Sequence, residues 1–108
     1  MLYHLVPRAE FEQQAADTDY VTDSLAAEGF IHLSATPEAV TWVANAFYRD
    51  VADLVVLRLD EIRLAAPVRY DQTPDGIFPH LYGPLNRDAI VTVEPMLRDQ
   101  HGRFVVVL

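Results

Sequence analysis

The sequence predicts a single α+β domain with a mixed or antiparallel sheet. Helix-type apolar spacing is concentrated in the first half of the chain and strand-type runs in the second. Strand and helix do not alternate regularly, so a doubly wound parallel sheet is not expected. The length of 108 residues fits one domain, 1–108, and 51% apolar residues can furnish a core without disulfides, which the absence of Cys excludes.

The elements follow in order. Leu2–Val6 reads as a short strand. Pro7 suits a first helical position, and Ala9–Ala16 is a modest helix broken by Asp17-Thr18-Asp19. Thr22–Glu28 forms a short helix with Gly29 as its stop. Phe30–Ser34 is strand-like. Thr36 caps a helix with Pro37 and Glu38 in its first turn, and Val40, Val43, Ala44 and Phe47 form its apolar stripe. Asp53–Leu59 reads as a central strand. Pro67–Asp71 is another, ended by the turn Thr73-Pro74-Asp75-Gly76. Ala89–Val93 and Phe104–Leu108 are two more, separated by a turn at Asp99–Gly102. The last run is apolar on both faces, which suits a buried strand or an edge that pairs between subunits.

Charge narrows the function. All eight basic residues are Arg, and sixteen acids set the formal charge at -8. Without Lys there is no Schiff-base chemistry and no Walker-type phosphate loop. A field of that sign repels polyanions, so general nucleic-acid binding is not expected. No apolar run has the length of a membrane span and the start lacks the pattern of a signal peptide, so the expected location is the cytoplasm.

The histidines are the first candidates for chemistry. His101 sits in the turn before Gly102 and reads as exposed. His4 shares a strand face with Leu2 and Val6. His32 shares one with Phe30 and Ser34, opposite Ile31 and Leu33, which point to the core. His4 and His32 meet if their strands are neighbours; the alternative is two half-buried histidines, each satisfied by a backbone carbonyl. The segment 76–86 is too apolar for a solvated loop. Pro79 cannot donate to a central ladder, so this segment reads as an irregular pocket wall presenting His80 and Tyr82, or as a rigid corner. A zinc site from His4, His32 and His80 is conceivable, although no pair has the local spacing typical of metal ligands.

Two motifs carry a resemblance. Gly29-Phe30-Ile31-His32-Leu33-Ser34 and Phe78-Pro79-His80-Leu81-Tyr82-Gly83-Pro84-Leu85-Asn86, with Tyr3-His4, Tyr20, Ser24 and Asp99-x-x-Gly102, resemble the bacterial family called domain of unknown function 952 over essentially the whole chain. That family in turn resembles the ADP-ribosyltransferase fold, notably its RNA 2'-phosphotransferase branch. The resemblance implies a curved, split sheet with a cleft for NAD or an ADP-ribose derivative. It implies catalytic positions at His4, His32 and His80. Ser34, Tyr82, Tyr20, Ser24 and Asp71 are implied as binding positions, with Tyr20 stacking if its loop folds over the cleft. Asp71 follows Tyr70 where many relatives have the longer Glu.

The expected function is cleavage or transfer of ADP-ribose from NAD or a derivative, with NAD as substrate and a small nucleotide-type molecule as ligand. The alternatives are a non-catalytic nucleotide or metabolite binding module, and a His-liganded metal hydrolase. The oligomeric state is not legible.

Overall fold

A computed structural model describes residues 1–106. Along the chain lie β1 (Leu2–Pro7), α1 (Arg8–Glu12), α2 (Asp23–Glu28), β2 (Ile31–His32), α3 (Pro37–Phe47), β3 (Leu54–Leu59), β4 (Val68–Thr73), β5 (Gly76–Leu81) and β6 (Ile90–Pro95). They build two three-stranded sheets, ordered β1-β3-β6 and β2-β5-β4. Every ladder is antiparallel, which narrows the expected α+β architecture to an antiparallel one. The sheets meet at a single bridge, where Tyr3 N–H donates to Ser34 O (2.9 Å) and Ser34 N–H to Tyr3 O (2.8 Å).

The centre of the first sheet is β3. Leu54, Val55, Val56, Leu57 and Leu59 are all buried, because both faces of the strand are covered. One face packs with Leu2, Val6, Ile31, Leu81 and Leu85, the other with Tyr3, Leu5, Val40, Ala44 and Phe104. Each Leu, Val, Ile or Phe among them contributes about 1.5–3 kcal/mol by leaving water. α3 is laid on the second face by its Val40–Ala44 stripe and starts where Thr36 Oγ1 accepts the Ala39 N–H at 3.0 Å. Phe47 departs from the expected stripe. It is 65% exposed, because the last turn of α3 overhangs the space between the sheets.

Further expectations are corrected. The helix expected over Ala9–Ala16 ends at Glu12, where the Gln14 side chain bonds the Val21 backbone at N–H and C=O (3.0 and 2.7 Å) and turns the chain away. The Phe30–Ser34 strand is reduced to a two-residue ladder at Ile31 and His32, with Ser34 pairing separately with Tyr3. Pro79 lies inside β5, the central strand of the second sheet, and not in an irregular corner. Its oxygen accepts the Leu33 N–H at 3.1 Å, so its missing N–H faces the β2 side, and the β2 ladder stops one residue earlier at His32–His80.

The turn at Asp99–Gly102 forms as read, with Gly102 N–H on Asp99 O at 3.1 Å. Beyond it Phe104 makes an isolated bridge to Arg98 instead of starting a strand. The Asn45 side chain occupies both Phe104 backbone groups (2.8 and 3.0 Å), so they are not free for a ladder. Residues 107 and 108 of that expected strand lie outside the described residues.

Tyr82 N–H donates to Pro67 O at 2.8 Å and draws two segments together beside Gly83. A Cβ at Gly83 would stand 2.7 Å from Ala66 Cβ. Gly83→Ala is therefore expected to lower stability by about 1–3 kcal/mol, measured as a shift of the urea midpoint at unchanged slope.

Candidate functional site

The two sheets diverge from the Tyr3–Ser34 bridge and leave a cleft of about 700 Å³ between them, closed on one side by α3. Its walls include Tyr3, His4, Phe30, His32, Ser34, Trp42, Phe47, Asp71, Phe78, His80 and Tyr82.

The β4–β5 hairpin provides the reactive wall. Its turn pairs Thr73 with Gly76, which sets Asp71 opposite Phe78. Phe78, His80 and Tyr82 alternate onto one face, so Asp71 reaches the next two along it. His80 Nδ1 donates to Asp71 Oδ2 at 2.8 Å, and Tyr82 Oη donates to the same oxygen at 2.5 Å. These two hydrogen bonds, Tyr82's first, hold the Asp71 carboxyl below the usual carboxylate range, and the same partnership holds the Tyr82 phenol above its own. The carboxylate fixes the proton of His80 on Nδ1. Phe30 stacks on the imidazole at 4.0 Å and 15°, and His32 meets it edge-on at 5.3 Å. His80 is only 4% exposed, yet it lines the cleft, and Nε2 has no partner among the described residues. A buried imidazole with an anchored Nδ1 and an open Nε2 can accept a proton from a bound molecule.

His32 occupies the outer lip. Its ring is exposed and Nε2 donates to Glu28 Oε2 at 2.9 Å. Ser34 is buried at the floor, its backbone held by Tyr3.

His4 is built differently. Its Nδ1 faces the His32 carbonyl oxygen at 2.7 Å and must donate to it. Its Nε2 is 3.0 Å from Tyr20 Oη, which donates in return. Burial lowers its pKa to about 4, and burial likewise raises that of Tyr20, so both partners stay neutral. Both imidazole nitrogens are committed, so His4 clamps β2 to β1 and sets the position of His32. This is the carbonyl-satisfied alternative for His4, completed by a tyrosine.

The remaining expected residues separate. Tyr20 does not fold over the cleft. It is buried behind His4, where its backbone pairs with Leu85. Ser24 lies at the start of α2 and donates to Phe30 O at 2.8 Å; it braces the residue that stacks on His80 and does not line the cleft. His101 is exposed in its turn. Among the described residues no three His, Cys, Asp or Glu side chains converge as metal ligands, and the saturated nitrogens of His4 remove it from a three-histidine set.

Sequence reading missed Glu28, Trp42, Phe47 and Asp75 as wall residues. Trp42 and Phe47 carry the one legible signal. Trp42 lies off the α3 stripe, and the two rings meet edge-on at 6.1 Å, 49% and 65% exposed.

A family model described as "Protein of unknown function (DUF952)" matches residues 5–93. The crystal structure of protein CC0527 from Caulobacter crescentus superposes with a TM-score of 0.82 at 29% identity, covering 96% of this chain and 92% of that one. The solution structure of CC0527 gives 0.77 at 30% identity, covering 94% and 88%. No curated protein matches the chain.

Proposed function

This chain belongs to the family of unknown function 952, and from that premise we propose that it binds a nucleotide-type small molecule between its two sheets and cleaves or transfers the ADP-ribosyl part of NAD or a derivative. The observation that carries the reading is the Asp71–His80 pair, with His80 Nε2 open to an aromatic cleft. Two small antiparallel sheets diverging around that cleft support an ADP-ribosyltransferase-like arrangement. In the proposed reaction the bond between the ribose anomeric carbon and the nicotinamide nitrogen breaks. Both electrons leave with nicotinamide, which becomes neutral, and positive charge develops on the sugar. Asp71, ionised and inside the cleft, stabilises that charge. A water or acceptor hydroxyl attacks the anomeric carbon and gives its proton to His80 Nε2. Tyr82 holds Asp71, and His32 with Ser34 contacts the ribose.

Incubation with excess NAD tests this. Ligand at about 100 times its dissociation constant adds about 2.7 kcal/mol, a shift of several degrees in a domain of this size. Nicotinamide released in excess over protein supports catalysis. A thermal shift without release points to the binding-module alternative. Neither shift nor release with NAD or ADP-ribose would discard the reading.

A further inference from the structure

We propose that the cleft selects a flat organic cation, an N-substituted pyridinium or similar ring, and disfavours phosphate-bearing groups at the same place. The inference rests on the small-molecule reading above and adds the charge class of the group that sits beside His80. Three carboxylate side chains, Glu28, Asp71 and Asp75, line the cleft, and no Arg does. The chain has no Lys to reach in from elsewhere. Arg69, opposite His80 across the hairpin, is exposed and does not line the cleft. Its guanidinium lies 4.9 Å over the Tyr82 ring, where its charge acts on Asp71 and Tyr82 and offsets part of the carboxylate field.

The polar groups are matched by aromatic ones. Trp42 and Phe47 stand half-exposed or more at the α3 wall, opposite the Phe30–His80 stack. Ring faces attract cations and flat rings together, most strongly where water is excluded. His80 is the independent sign that something is received here: a buried imidazole with an unpartnered Nε2 at the cavity surface. The formal charge of -8 acts in the same direction at long range, drawing cations in and repelling phosphates.

A matched set of rings tests the charge alone. 1-Methylnicotinamide, nicotinamide and nicotinate share a ring and carry +1, 0 and −1 charge. Titration calorimetry gives their affinities, and the fluorescence of the single Trp, Trp42, reports from within the cleft. The cation is expected to bind at least about tenfold more tightly than the anion. That preference should shrink at high salt. Asp75→Asn, at an exposed turn position that Asn also suits, should reduce it by about threefold. Equal affinities, or tighter binding of nicotinate, would overturn the charge inference and leave the small-molecule reading standing. Failure of all three rings together with NAD and ADP-ribose would overturn both.

Discussion

His80→Ala is expected to reduce NAD cleavage by about 10²–10⁴-fold, the usual weight of a general base. The substitution removes the only ring nitrogen in the Asp71–His80–Tyr82 chain that is left unpartnered toward the cleft. It also removes the ring under Phe30, so it is compared with a second variant that loses the ring but keeps the bond to Asp71. His80→Asn can place its amide nitrogen near the position of Nδ1 and keep the bond to Asp71, but it has no base at the position of Nε2. It loses the Phe30 stack as His80→Ala does, so a urea midpoint above that of His80→Ala with the same loss of turnover marks the base as the missing group. Asp71→Asn attacks the same step from the other side. An amide donor facing Nδ1 would drive the proton to Nε2 and close the lone pair. Turnover should then fall with little change in KM, the pattern of an interaction made in the transition state. Tyr82→Phe leaves the Asp71–His80 bond in place and should cost less than either. Wild-type rates in both His80 variants would move the base elsewhere.

The pieces of this chain of groups were legible separately, and so was the rule that joins them. The turn Thr73-Pro74-Asp75-Gly76 was readable from its residue types, and pairing Thr73 with Gly76 sets Asp71 against Phe78 by counting. Alternation then brings His80 beside Asp71. Pro79 obscured that step, since a proline argues against a central ladder. The structure resolves the conflict by ending the two-residue β2 where Pro79 would have had to donate. The Ile31/Leu33 inward and His32 outward alternation was readable for the same local reason. Glu28 was not, and Trp42 was legible only as a ring off the apolar stripe of α3. They enter the cleft through the placement of α2 and α3 against the sheets, which is set by contacts distant in sequence. Ser34 needed its bridge to Tyr3, thirty-one positions away, before its place at the floor could be known.

Acid is expected to unfold this protein well above the pH at which its carboxylates are neutralised, and His4 is the reason. The buried imidazole has a folded pKa of about 4 against 6.5 when unfolded. A depressed histidine pKa means that the unfolded chain binds the proton more readily. The contribution is present in full above pH 6.5 and is lost progressively as pH falls from 6.5 to 4. The difference is worth about 3 kcal/mol, a large share of the stability of a domain this small. Desolvation is the main cause, and the hydrogen bond to the His32 carbonyl opposes it only in part. Asp71 shifts stability in the same direction but at lower pH, since its pKa lies below the usual carboxylate range. The two can therefore be told apart by window. Urea midpoints at several pH values between 7.5 and 4.5 should fall steeply for wild type, and the melting temperature should drop by more than about 10 °C. His4→Asn lowers stability at neutral pH by breaking the clamp, yet its midpoint should change little across that window because nothing at position 4 titrates. A parallel decline in both proteins would place the acid-sensitive group elsewhere. The same experiment reads on the site, because protonated His4 no longer accepts the Tyr20 hydroxyl and the β1–β2 clamp that positions His32 is weakened. Ligand affinity should then decline with stability over the same pH range in wild type.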